Sequence, residues 1–223
     1  MKKFVFILLA LVPYLGLAQQ PNNQGSTQDD FLGRYITFKG IELKEGLRMD
    51  DMLRMLESKG FKRAETFELF KNKFNGYQLV GSFFNTIECD IKIMPTTNDK
   101  NIVGIINVHF PERQTFKQLK EEYDKIKDAL NNKYHLNSCE EGFDDEYVGN
   151  NTSDYFKLRA LQNDECKFKS IYYLSDNPFS LIKGQIVLTI SHLAYDYNHD
   201  YYVSLLYCTP DNIKEQLSRD DDL

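Results

Sequence analysis

Apolar residues recur at helical spacing in two stretches of the chain. Met49, Met52, Leu53 and Leu56 share one face of a segment with Asp50 and Asp51 in its first turn and Gly60 at its end, predicting a helix from about Asp50 to Lys59. Phe61 then folds back on it. Thr115 and Gln118 form a capping box ahead of Phe116, Leu119, Tyr123, Ile126 and Leu130, whose 3,4,3,4 spacing predicts a second helix of about five turns. The stripe is shorter than three heptads, which favours a helix laid on a sheet over a coiled coil. Elsewhere the period drops to two. From Thr86 to Ile93, Ile87, Cys89, Ile91 and Ile93 fall on one face and Glu88, Asp90 and Lys92 on the other, the signature of a half-buried strand. Asn101 to Phe110, Lys183 to Leu193 and Tyr201 to Cys208 are further β-branched or aromatic runs bounded by turn-rich pieces.

These elements predict an α+β fold of two related halves, 34–112 and 113–213, each a helix followed by antiparallel strands. Helix 50–59 precedes Glu88-Cys89-Asp90-Ile91-Lys92 and helix 116–133 precedes Glu165-Cys166-Lys167-Phe168-Lys169, a weak tandem repeat. Helices packed on one face of such a sheet leave its other face to solvent or to a partner.

The ends of the chain read differently. Lys2 and Lys3 precede an unbroken apolar run of nine residues, Phe4 to Val12, too short to span a bilayer, and Gly16-Leu17-Ala18 offers the small residues of a cleavage site. Residues 1–18 are therefore predicted to be a signal peptide, placing the mature protein in the periplasm or outside the cell. Residues 19–33, QQPNNQGSTQDDFLG, read as a flexible linker, and 214–223, ending in Arg219-Asp220-Asp221-Asp222, as a solvated acidic tail. No later apolar stretch is long enough for a membrane helix. The formal charge is −6, and loss of Lys2 and Lys3 makes it more negative, which disfavours a nucleic-acid partner.

Four cysteines in an exported chain allow three complete pairings. Cys139 lies just after the second helix and Cys166 opens a strand expected beside it, so a Cys139–Cys166 disulfide is the expected bond. The competing arrangement joins Cys89 to Cys166. Cys89 and Cys208 otherwise read as buried apolar residues. No C-x-x-C pair is present, which argues against a structural zinc.

Ser191 to Tyr202, SHLAYDYNHDYY, is the most unusual stretch. Asp196, Asn198 and Asp200 have the spacing that opens a calcium loop, but Tyr201 stands where Gly is required and Tyr207 where the bidentate Glu belongs, so no EF-hand forms. No metal and no cofactor is expected. Tyr195, Tyr197, Tyr201 and Tyr202 offer rigid contact area with a hydroxyl handle, the residue type enriched where proteins bind proteins or sugars. Glu140, Glu141, Asp144, Asp145 and Glu146 form an acidic knot. With His192 or His199 it is the only constellation for an alternative, a hydrolase of peptidoglycan or glycan. No nucleophile elbow, zincin, P-loop or dinucleotide fingerprint appears.

Ile36-Thr37-Phe38-Lys39-Gly40-Ile41, Ser58-Lys59-Gly60-Phe61, Phe74-Asn75-Gly76-Tyr77, Val108-His109-Phe110-Pro111 and the terminal Asp221-Asp222-Leu223 resemble a family of secreted, functionally uncharacterised proteins of gut Bacteroidetes. The succession of elements is similar in topology to the tandem-repeat fold of β-lactamase inhibitory protein. The resemblance implies an envelope location and an α+β fold, and brings no catalytic residues. The expectation is an exported, non-enzymatic binding or accessory module that presents a sheet face or the Tyr-rich hairpin to an envelope protein or glycan. A secreted protein inhibitor is the third reading.

Overall fold

A computed structural model describes residues 35–64, 76–151, 153–175, 182–195 and 198–220, all within one unit, Leu32–Leu223. The chain enters through a small hairpin, β1 (Thr37–Phe38) and β2 (Ile41–Glu42). Its turn residues Lys39 and Gly40 have φ of 51° and 76°, the left-handed pair a two-residue type I′ turn requires.

Helix α1 (Met49–Ser58) buries Met49, Met52, Leu53 and Leu56. It ends in a Schellman motif: Gly60 takes φ 89°, its N–H donates to Glu57 O at 3.0 Å, and the Phe61 N–H donates to Leu56 O at 3.1 Å. Phe61 is thereby turned back into the core beside Leu56.

Four strands follow in sequence: β3 (Lys62–Arg63), β4 (Tyr77–Phe83), β5 (Thr86–Pro95) and β6 (Val103–His109). Then come α2 (Phe116–Asn131), β7 (Leu136–Phe143), α3 (Glu146–Asn151), α4 (Asp154–Gln162), β8 (Cys166–Ser175), β9 (Ile182–Tyr195), β10 (Asn198–Cys208) and α5 (Pro210–Asp220). Thr115 caps α2 by accepting the Gln118 N–H at 3.2 Å, and the five apolar residues of the predicted stripe are the five that α2 buries.

The fold is α+β, with eight antiparallel strands in the order β3-β4-β5-β6-β10-β9-β8-β7. Each half contributes four strands, and the halves meet through their last ones, β6 and β10. Register fixes what each face carries. Leu79, Ile91, Val108, Leu205, Leu188, Ser170 and Cys139 pair in one row across seven strands, on the face that α2 covers. All of this row except Cys139 is fully buried. Tyr123 of α2 reaches the row and bonds the Ser170 hydroxyl at 2.8 Å, so the one polar side chain buried there is satisfied.

The structure corrects the sequence reading in several places. Ile87 is 68% exposed, whereas Cys89, Ile91 and Ile93 are fully buried. Glu88 adopts φ 60° and the ladder shifts register between Gly81 and Phe83, so strict alternation begins only at Cys89. Residues 136–143, which hold part of the acidic knot, form edge strand β7. The expected solvated tail is largely the body of α5, with Ile213 and Glu215 buried. Helix α5 packs over one end of the sheet's second face, burying Cys208, Val187 and Gln185, and is anchored where Asp211 accepts the Gly46 N–H at 2.8 Å and Glu215 the Thr97 N–H at 3.0 Å.

The expected Cys139–Cys166 bond is absent, and all four cysteines are free. Cys139 stands opposite Ser170 and Cys166 opposite Phe143. Four residues of offset correspond to about 13 Å along the strand, well past the roughly 7 Å limit for a disulfide. The competing Cys89–Cys166 pair is likewise unbonded.

Candidate functional site on the open sheet face

One residue along each strand from the buried row lies a second row on the opposite face. Val80, Asp90, His109, Ser204, Thr189, Lys169 and Glu140 are cross-strand partners in unbroken succession. Six of the seven are half-buried; Glu140, on the edge strand, is exposed. Toward α5 the next row contains Gln78, Lys92, Asn107, Leu206, Val187 and Ile171, and beyond it Met94, Ile105, Cys208, Gln185 and Tyr173. The face thus grades from apolar under α5 to polar away from it.

Hydrogen bonds hold these side chains in place. Gln78 Nε2 donates to Asp90 Oδ1 at 2.8 Å, and Lys92 lies 3.6 Å from the same carboxylate. Asn107 Nδ2 and His109 Nε2 are 2.9 Å apart, and the imidazole lies against the Tyr202 ring with centroids 4.7 Å apart. Thr189 bonds Ser204 at 2.7 Å and Ser191 at 3.2 Å. Burial, with Lys92 adding and Asp90 opposing, lowers the His109 pKa to about 4, so the ring is neutral at physiological pH. Burial also lowers the Lys169 pKa, against the attraction of Glu140. The surface can therefore offer neutral donors and acceptors in its centre, with single charges of both signs at its sides. Such groups can exchange hydrogen bonds and ion pairs with a polar surface.

The hairpin residues singled out by sequence do not form one patch. Tyr201 and Tyr202 are adjacent on β10 and so face opposite sides. Tyr202 lies on the open face. Tyr201 lies on the covered side, where its hydroxyl accepts a bond from Gln162 of α4. Tyr195 ends β9 opposite Asn198, and Tyr197 lies outside the described residues. His192 and His199 share the Tyr201 side, with rings 5.8 Å apart, and burial lowers the His192 pKa.

The acidic knot is dispersed. Glu140 pairs with Lys167 at 3.4 Å and Glu141 with Lys127 at 2.5 Å, while Asp145 takes the Tyr147 N–H at 2.8 Å. Burial pushes the Glu141 pKa up, but bonds from Lys127, Cys139 and Tyr123 outweigh it and leave it lowered. Among the described residues none of the five carboxylates bonds either histidine, and no three His, Cys, Asp or Glu side chains gather as a metal would require.

A cleft of about 330 Å³ contains Asp99, Asp211, Lys214 and Glu215. Asp211 and Glu215 are bonded to backbone amides, and Lys214 pairs with Glu45 at 2.8 Å. These groups hold α5 in place.

Sequence reasoning passed over Asn107, His109, Thr189, Lys169 and Ser204. Their signal was present as the second phase of the strand alternation, already visible in Asp90 and Lys92. No protein-family model, curated protein or solved structure matches the chain.

Proposed function

We propose that the protein is an exported, non-enzymatic binding module that holds an envelope protein or glycan on the open face of its sheet. The observation that carries this reading is the Val80-to-Glu140 row, a pre-ordered surface seven strands wide that no helix among the described residues covers. An ordered surface loses little side-chain entropy on binding, which favours affinity from many modest contacts. The hydrolase reading lacks such support, because Glu140 and Glu141 are engaged in separate ion pairs and Asp145 in a backbone bond. An inhibitor is the same module with an enzyme as its partner. Export rests on the pattern of residues 1–18, and the tandem relation of the halves on a leading helix, α1 or α2, ahead of four sheet strands in each, although α3 and α4 interrupt the second set.

The test is binding of the purified mature chain to an envelope extract and to a glycan panel, beside the variants Ser204→Arg and Thr189→Arg. Each variant is expected to weaken binding about 30-fold, near the usual hot-spot scale of 2 kcal/mol, while the melting temperature falls by only about 2–6 °C for the lost Ser204–Thr189 bond. Binding that survives both variants, or turnover of peptidoglycan, would overturn the proposal.

A further inference from the structure

On the other side of the sheet, a cleft of about 250 Å³ lies between the β1–β2 hairpin and the C-terminal end of α2. Its charge is at odds with the rest of the molecule. Lys39 and Lys133 line it and no Asp or Glu does, although the chain is net acidic and the clefts beside α5 and α1 carry Asp99, Asp211 and Glu215, or Asp50.

Among the described residues both ammonium groups have only neutral partners. Lys39 Nζ donates to Ser82 O at 3.2 Å and stands 5.6 Å from the Phe83 ring centroid and 5.7 Å from that of Phe61. Lys133 Nζ donates to Thr37 Oγ1 at 2.5 Å and stands 5.1 Å from the Tyr134 ring. A cation at the end of a helix complements its dipole, which accounts for Lys133 but not for Lys39.

The walls are aromatic and held by the backbone. Phe83, Phe84, Tyr134 and Tyr207 line the cleft. Lys39 and Phe84 are non-glycine residues at φ 51° and 46°, each in a tight hairpin turn. A two-residue type I′ turn requires that geometry, which fixes where each side chain leaves the backbone.

We infer that this cleft binds a small ring-bearing anion, its carboxylate or phosphate between Lys39 and Lys133 and its ring against the aromatic wall. An oxyanion would add the attraction of opposite charges to bonds that the two ammonium groups now make to uncharged oxygens. The cleft is smaller than typical drug-sized sites, which start at roughly 300 Å³, so it fits one ring rather than a chain of them. It is separate from the open face: Phe83 and Tyr207 belong to the core on the α2 side. Failure of one proposal leaves the other standing.

The experiment is calorimetric titration of the purified full chain with benzoate, phenyl phosphate, inorganic phosphate and uncharged benzamide. Benzoate or phenyl phosphate is expected to bind below about 10 mM, and the tighter of the two identifies the anion. Benzamide and inorganic phosphate are each expected to be weaker by about tenfold or more, as are the ring anions against Lys39→Gln and Lys133→Gln at unchanged melting temperature. The inference fails if neither ring anion binds, if benzamide or inorganic phosphate binds as well as they do, or if the double variant K39Q/K133Q binds like the parent.

Discussion

One step along the strands separates two rows that share a backbone and little else. Ile91, Val108, Leu205 and Leu188 are fully buried beneath α2, while their chain neighbours Asp90, His109, Ser204 and Thr189 face the other way and bond one another or nearby polar side chains. The first row is held by what it removes from water. The second is held by pairing, and remains available to a partner. Stability and recognition can therefore be varied separately in this sheet, because alternation assigns them to different residues.

The largest expected effect lies on the covered side. Leu205→Ala should cost about 2–5 kcal/mol, the range for emptying a fully buried leucine site. Ser204→Ala, one residue away, removes the Thr189 hydroxyl bond and should cost only about 0.5–1.5 kcal/mol. Urea unfolding of both variants at constant m-value measures the difference. Equal losses would mean that the open face is part of the core.

The next effect depends on pH and belongs to the open face. Burial lowers the folded-state pKa of His109 to about 4, below the ordinary 6.5, so as pH falls the unfolded chain takes up the proton first. The contribution of this group is whole above pH 6.5 and declines as pH falls toward 4. Full linkage would give roughly 3 kcal/mol; the ring is half-buried, which reduces this to about 2 kcal/mol. Unfolding free energies at pH 7 and 4.5 for the parent and His109→Gln isolate the term, since the remaining titrating groups are common to both. Identical slopes would show that water reaches the ring.

Helices α1 and α2 were legible because a 3.6-residue period survives any tertiary arrangement. Thr115, Phe116 and Leu119 carry the signal for α2 within five residues. The two faces of β5 were legible as well, since Asp90 and Ile91 must point apart in any strand; the rows that continue them across the sheet depend on register, which no single strand carries. The same rule separates Tyr201 from Tyr202, so a single tyrosine patch at the hairpin conflicted with the strand assignment itself. Other features had no local signal. Nothing around Ile87 announces the positive φ of Glu88 that exposes it. Helix α5 is polar along most of its length and buries Asn212 and Glu215 as well as Ile213, which apolar periodicity cannot detect.

The smallest expected effect concerns Cys139, and it sharpens the comparison at the margin of the covered face. Cys139 ends the buried row on β7, the sheet's edge, where residues 137–142 are all exposed because the helical cover has run out. Cys166 sits on the adjacent strand and is 6% exposed, packed in the core with Phe168. A bond between these residues would close a loop worth about 3 kcal/mol, and its loss would be plain in the melting temperature. Without that bond, Cys139→Ser alters only contacts with Lys127, Glu141 and Ser170 at an exposed position and should change stability by less than about 0.5 kcal/mol. Cys166→Ser places a hydroxyl among apolar side chains and should cost about 1–3 kcal/mol. Thermal melts with and without reductant decide the matter: unchanged midpoints and four titratable thiols after unfolding fit this register, whereas a reductant-sensitive midpoint abolished by Cys139→Ser would require β7 to slide about four residues along β8.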